Sequence, residues 1–361
     1  MSDTPRIKAV QARTVSVPLS TPHRTASGVI TESPLVLTDI ILDTGVTGHA
    51  ITFTYNRIAL KPTGLLIADL GRLIEGEPLA PLDIEKKLSN RFRLLGTQGL
   101  MGMALSGIDM ALWDALARSQ NCSLTRALGG IEKPIPVYGA IGYDGPGQSA
   151  NEAEKWAERD IKGVKAKIGY PTIEEDLLVI RAIRKAVGAG VAIMVDYNQS
   201  LTPVEAIQRL RMLESEGLAW IEEPTLAHDF SGHARITREI KTPIQCGENW
   251  WGVLDMQHAI DQESSDFMML DIMKIGGVTG WIRAASLACP KGILISSHLW
   301  SEISTQMLCV TPTSHWLEYS DWWNPILKEP LELNNDGFAV VNNVIGSGVE
   351  WNEKAVNGFL V

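Results

Sequence analysis

Between residues 192 and 248 the chain writes one short pattern three times: Ala192-Ile193-Met194-Val195-Asp196, Ala219-Trp220-Ile221-Glu222 and Ile244-Gln245-Cys246-Gly247-Glu248. Each is a brief, β-prone run that closes on a carboxylate, with a helical stretch before the next. Extended both ways from about residue 134, the pattern predicts strands near Ile135–Gly139, Val164–Ile168, Ala192–Asp196, Ala219–Glu222, Ile244–Glu248, Met268–Asp271, Ile293–Ser296 and Trp316–Glu318. Eight βα-type repeats over about 190 residues suit a closed barrel of parallel strands better than an open sheet. A doubly wound sheet would favour a GxGxxG turn, and Lys274-Ile275-Gly276-Gly277-Val278-Thr279-Gly280 does not fit it.

Upstream the grammar differs. Ile7 to Pro18 and Leu35 to Leu42 alternate as half-buried strands do, Asp43-Thr44-Gly45 reads as a hairpin turn, and a third strand follows near Gly48 to Thr54. Helical patterns cover Pro62 to Ile74, Leu82 to Phe92 and Met101 to Ser119. Strands followed by helices, without alternation, indicate an α+β domain. The expected division is therefore an α+β domain over 1–130, a barrel over 131–330, and a segment over 331–361. That last segment, with a strand-like piece from Phe338 to Val341, is expected to return to the first domain.

Composition narrows the function. The 361 residues are 45% apolar with no low-complexity tract, which excludes disorder. A net charge of −10 repels phosphate backbones and argues against a nucleic-acid partner. No run approaches roughly 18 uninterrupted apolar residues, so no membrane span is expected. Met1-Ser2-Asp3-Thr4-Pro5-Arg6 lacks an export layout, and a cytoplasmic enzyme is expected. Cys122, Cys246, Cys289 and Cys309 form no CxxC pair and are expected to be buried free thiols.

The chemistry lies in where charge falls within the strands. Asp196, Glu222 and Glu248 are 26 residues apart both times, so they meet on adjacent strands at the C-terminal mouth of the barrel. Three clustered carboxylates repel one another without a cation, and hard oxygen ligands favour Mg²⁺, with Mn²⁺ possible. One repeat earlier, Val164-Lys165-Ala166-Lys167-Ile168 aims both lysines into the barrel. Each ammonium is expected to depress the other's proton affinity, leaving one as a base while the other holds a carboxylate. Asp271 and His298 close later strands and are expected to pair, the acid fixing the imidazole tautomer. Glu318 on the last strand is expected to be protonated and to donate a hydrogen bond to growing oxyanion charge. Asn198, two residues past Asp196, shares its face and is placed to touch a substrate hydroxyl, whereas Glu223 is expected to point elsewhere. Together these groups describe removal of the α-proton of a carboxylate. Lys167 and His298 approach the carbon from two sides, and Mg²⁺, Lys165 and Glu318 stabilise the enolate.

Several segments are familiar: Lys165-Ala166-Lys167-Ile168-Gly169-Tyr170-Pro171, Val195-Asp196-Tyr197-Asn198-Gln199-Ser200, Trp220-Ile221-Glu222-Glu223-Pro224, Gly247-Glu248-Asn249-Trp250 and Ser296-Ser297-His298-Leu299. With Pro34-Leu35-Val36-Leu37 and Gly107-Ile108-Asp109-Met110, the chain resembles the mandelate racemase group of the enolase superfamily over nearly its whole length. The resemblance implies an α+β capping domain on a modified (β/α)₇β TIM-type barrel. It implies Mg²⁺ on Asp196, Glu222 and Glu248, and Lys167 opposed to a His298–Asp271 dyad. A small-molecule carboxylate substrate and a homo-oligomer, in that group an octamer, are implied too.

Departures fall in the specificity elements. In the loop Thr21 to Ile30, His23 and Ser27 stand where the group has valines. Trp300 replaces a phenylalanine, Ser320 a leucine, and Gly139-Ala140-Ile141 a more polar stretch, while Phe53 and Tyr55 are retained. The expected substrate-binding set is thus Asn198, His23, Ser27, Phe53 and Tyr55. Bases on both faces favour racemisation of a 2-hydroxy carboxylate; dehydration of a sugar acid through the same enolate is the alternative. A non-catalytic scaffold is disfavoured, because every expected catalytic position is filled.

Overall fold

The computed structural model describes residues 4–25 and 28–361. The chain opens with an antiparallel sheet of β1 (Ile7–Thr25), β2 (Gly28–Leu42) and β3 (Thr47–Phe53), in that order. Val15, Val17, Leu35, Leu37, Ile51 and Phe53 are buried in the core. The first hairpin runs further than its sequence suggests. Pairing breaks register after Pro18 and resumes at His23↔Ile30 and Arg24↔Val29, so the expected loop Thr21 to Ile30 is the tip of a long ribbon. Polar residues and two prolines hide that continuation, because the ribbon's end leaves the core.

Helices α1 (Arg57–Arg72), α2 (Pro81–Arg91), α3 (Gly99–Ser119) and the single turn α4 (Leu124–Ala127) complete this domain. The helix expected to begin at Pro62 begins at Arg57 instead, where Asn56 caps it by accepting the N–H of Ile58 at 3.0 Å. Pro62 therefore sits inside α1 and removes one backbone donor from it. By length and composition α3 is apolar enough to cross a membrane, yet most of it is buried inside the protein as a core helix. Its close contact with β3 needs Gly48, where a Cβ would lie 2.2 Å from the carbonyl oxygen of Ala111.

The barrel follows as β4 (Ile135–Ile141), α5 (Gly145–Ala157), β5 (Gly163–Lys167), α6 (Ile173–Val187), β6 (Ala192–Asp196), α7 (Pro203–Leu213), β7 (Ile221–Glu222) and α8 (Phe230–Glu239). It continues through β8 (Ile244–Cys246), α9 (Val253–Asp261), β9 (Phe267–Asp271), α10 (Gly277–Ala288), β10 (Ile295–His298), α11 (Ser301–Val310) and β11 (Leu317–Tyr319). Neighbouring strands pair in parallel along the order β10-β9-β8-β7-β6-β5-β4-β11. The circle closes where Ser297 donates its N–H to Trp316 at 3.0 Å and His315 to Ile295 at 2.8 Å. Eight strands with seven intervening helices make the modified (β/α)₇β barrel, capped by the α+β domain.

The expected strand near Phe338 shrinks to β12 (Phe338–Ala339), which pairs with β4 of the barrel rather than with the first domain. The chain then returns to that domain through α12 (Glu353–Phe359): Glu353 binds Arg13 at 2.6 Å, and Val361 donates its N–H to Thr14 at 3.1 Å. All four cysteines are free; Cys246 and Cys309 are buried as expected, Cys122 is half-buried, and Cys289 is exposed.

Candidate active site

The strand ends converge at the mouth. Asp196 pairs across the sheet with Glu222, and Glu248 follows two residues beyond β8 after Gly247. Gly247 has φ +137°, and a Cβ there would lie 2.4 Å from the carbonyl oxygen of Met269, so only glycine permits this turn. The three carboxylates are buried, with one oxygen of each lying within 4.8 Å of the others. Glu248 Oε2 has no hydrogen-bond partner among the described residues. A buried carboxylate oxygen without a donor, in an all-oxygen set, suits a small hard divalent cation. Asn198 folds back on a left-handed turn (φ +45°), donating its N–H to Asp196 Oδ1 at 2.6 Å and its amide to Oδ2 at 3.1 Å. Its own buried carbonyl oxygen has no partner among the described residues and is left for a ligand.

Both lysines do point inward. Lys165 donates to Glu222 Oε1 at 2.5 Å and to Glu318 Oε1 at 2.8 Å, while Lys167 donates to Asp196 Oδ2. Their expected mutual depression is outweighed: Lys165 does lower Lys167, but the carboxylates around both lysines prevail. Burial lowers both ammonium groups, but for Lys165 the charges of Glu222 and Glu318, and for Lys167 that of Asp196, outweigh it and raise them. Glu318 corrects its expectation as well. Burial pushes its carboxyl up, yet Lys165, His298 and Lys167 bring it down to about 2, so it is ionised rather than a proton donor in this arrangement. Glu222 moves the other way, held well above the usual range mainly by burial.

On the far side His298 Nδ1 lies 2.8 Å from Asp271 Oδ2, which fixes the proton on Nδ1 and turns Nε2 toward the site. That Nε2 is 3.4 Å from Glu248 Oε2 and 3.9 Å from Glu318 Oε2. Burial disfavours the imidazolium, but Glu248 and Asp271 more than offset it and raise its proton affinity. Asp271 Oδ1 accepts the backbone N–H of Met273 and of Lys274, both at 2.9 Å. Leu299 and Trp300 follow His298 with φ +49° and +48°, and Trp300 Nε1 donates to the carbonyl of Ile51 in the capping sheet at 2.9 Å.

The capping domain supplies the opposite wall. Phe53 lies 4.6 Å from Tyr55 and 5.9, 6.3 and 6.5 Å from Trp322, Trp323 and Trp300, the centre of a packed aromatic cluster. Tyr55 packs its ring on this cluster, but its hydroxyl is committed to Asp271 Oδ2 at 2.7 Å. His23 is half-buried, 5.3 Å from Trp322; burial and then Lys167 push its imidazole down to about 4, so it is neutral at pH 7. Beside it the ribbon tip is tied to the barrel. Arg24 accepts the N–H of Tyr143 at 2.9 Å and faces Asp144 at 3.4 Å. A cavity of about 720 Å³ lies along this seam, lined by His23, Arg24, Ala140 and Trp322. Ser27 lies outside the described residues.

Sequence reasoning missed Trp322, Trp323 and a second polar chain. Glu223, expected to point elsewhere, is buried and accepts Asn249 Nδ2 at 2.8 Å; Asn249 Oδ1 in turn accepts Lys274 at 2.7 Å. Asn249 also donates to Glu248 at 3.1 Å, so this chain braces the third carboxylate. The signal was present, because Glu223 and Asn249 are separated by the same 26 residues as Glu222 and Glu248.

Comparison with known proteins places these features. Residues 8–129 match a family model described as the mandelate racemase/muconate lactonizing enzyme N-terminal domain, and residues 148–355 one described as enolase C-terminal domain-like. L-talarate/galactarate dehydratase of Salmonella typhimurium is 30% identical over 97% of this chain and 90% of its own. D-galactarolactone cycloisomerase of Agrobacterium fabrum is 30% identical over 98% of each. Among solved structures, an enolase from Bradyrhizobium complexed with magnesium and mandelic acid superposes with a TM-score of 0.95 at 42% identity, covering 100% of both chains. Relatives thus include dehydratases and cycloisomerases, and also epimerases.

Proposed function

Because the chain belongs to the mandelate racemase/muconate lactonizing enzyme family of the enolase superfamily, we propose that it racemises a 2-hydroxy carboxylate by magnesium-dependent removal and return of the α-proton. One observation carries the proposal: Lys167 is bonded to Asp196, at one end of the acidic triad, and His298 faces Glu248, at the other. A substrate carboxylate seated over the triad then has a proton acceptor on each side of its α-carbon. Asp196, Glu222 and Glu248 would hold a magnesium ion, which would supply positive charge where the carboxylate oxygens gain electron density. Lys165, between Glu222 and Glu318, adds a fixed cation on the same side. Asp196 holds the Lys167 ammonium protonated, and a cation on Asp196 would release Lys167 to act as the base. Lys167 would then take the proton from one face, and His298, oriented by Asp271, would deliver one to the other, with the reverse order serving the opposite enantiomer. Trp322, the half-buried ring that lines the cavity at the edge of the Phe53 cluster, suits an aromatic distal group.

A second reading is dehydration of a sugar acid. It is favoured by neutral His23, which needs a hydrogen-bond partner that a bare ring does not offer. There His298 would protonate the departing 3-hydroxyl. The test is to incubate (R)-mandelate with the magnesium-loaded enzyme in D₂O, and in parallel a panel of sugar acids. Loss of optical rotation with α-deuteration supports racemisation. A 2-keto product from the panel, with mandelate untouched, transfers the assignment to dehydration. A homo-oligomer belongs to the same reading: Leu94 and Leu95 stand exposed side by side, and light scattering measures the mass.

A further inference from the structure

Asp271 is saturated with donors. Its Oδ1 takes two backbone N–H groups, from Met273 and Lys274, and its Oδ2 takes both His298 Nδ1 at 2.8 Å and the Tyr55 hydroxyl at 2.7 Å. Three of these donors belong to the barrel. The fourth does not: Tyr55 lies in the capping domain, just past β3, and its sequence distance from Asp271 is 216 residues. It is also held in a conformation that side chains avoid, with φ +55°. Phe53 on one side and the Lys274 ammonium, 4.5 Å from the ring centroid, keep it there. A tyrosine retained only as an apolar wall would not need its hydroxyl buried against a carboxylate.

We propose that Tyr55 is a positioning residue for His298, acting through Asp271. The proposal rests on His298 being a base, as set out above. Oδ1 is pinned by the backbone, so the carboxylate plane is defined only when Oδ2 is pinned as well. The Tyr55 hydroxyl does that, and the imidazole then has one orientation in which Nδ1 meets Oδ2 and Nε2 faces the α-carbon. The base on this face is therefore assembled from two domains, and seating of the capping loop completes it. Among the described residues, the bonding partner of Lys167 is Asp196, and both belong to the barrel.

The test is Tyr55→Phe in the full-length, magnesium-loaded enzyme with ¹⁵N-labelled histidine. In the absence of substrate, Oδ2 is left to His298 alone. The Nδ1–H bond tightens and its proton resonance moves downfield. With each mandelate enantiomer in D₂O, the kcat for α-exchange initiated by His298 falls about tenfold relative to the kcat for exchange initiated by Lys167, whatever common loss the ring's place beside the substrate brings to both. The retained Lys167 exchange shows that the variant is folded. An unmoved resonance, or equal losses on both faces, overturns the proposal. If wild type exchanges neither enantiomer, the racemase reading fails, and the histidine resonance alone decides the role of Tyr55.

Discussion

Asp109 on α3 accepts the backbone N–H of Thr279 on α10 at 3.0 Å, so a carboxylate of the capping domain closes the N-terminus of a barrel helix. Its other oxygen bonds the Thr279 hydroxyl at 2.5 Å, and Gly277 must be glycine because a Cβ would lie 2.3 Å from Asp109. Burial pushes this carboxyl up to about 7 against the hydrogen bonds from Thr279. A carboxyl raised on folding favours the folded state at low pH and loses that contribution as pH rises from about 4 to about 7. The stability difference between wild type and Asp109→Asn should therefore shift against wild type by a few kcal/mol (about 1.4 per pKa unit) across that window. Urea melts at pH 4.5 and pH 8 measure it; a pH-independent difference would contradict it.

His315 gives the opposite slope. It closes the barrel seam, and burial pushes its imidazole down to about 4. A histidine depressed on folding contributes stability above pH 6.5 that is lost as pH falls toward 4. His315→Gln should therefore lose less stability than wild type on going from pH 7 to pH 4.5, by up to about 2–3 kcal/mol. Parallel acid slopes for the two proteins would rule this out.

Magnesium binding has its own reporter. Trp220 Nε1 lies 3.3 Å from Glu222 Oε2, so filling the triad should change tryptophan emission. Magnesium at a hundred times its dissociation constant should stabilise wild type by about 2.7 kcal/mol. Glu248→Gln removes a charged ligand and should weaken the titration at least about tenfold, while EDTA lowers the wild-type Tm. Equal magnesium responses from wild type and Glu248→Gln would exclude the triad as the site.

How much of this was legible in sequence depended on periodicity. The eight barrel strands fall within two residues of their expected positions, since a fixed repeat carries its own register. The triad follows from the same spacing. Where no repeat exists the reading failed. The ribbon beyond Pro18 pairs over the barrel mouth without an apolar face to announce it, and Pro62 disguised the interior of α1 as its start. Protonation states were the least legible. Two lysines suggest mutual depression until Glu222, Glu318 and Asp196 are placed within reach of them, and that requires the folded geometry.

His23 should govern specificity without shaping the pH profile, because it is already neutral well above pH 4. His23→Val should lower kcat/KM for acids with a polar distal group by about 1–3 kcal/mol in transition-state terms and leave aryl acids within about twofold. A uniform loss across both classes would place His23 outside the pocket.

The central claim is that Lys167 and His298 serve opposite faces of one bound acid. Lys167→Ala and His298→Asn, each loaded with magnesium, are given (R)- and (S)-mandelate separately in D₂O, and deuterium at the α-carbon is followed by proton NMR. Each variant should exchange one enantiomer only, the two variants should select different enantiomers, and neither should racemise. Retention of the same enantiomer by both variants would put the two bases on one flank and contradict the account.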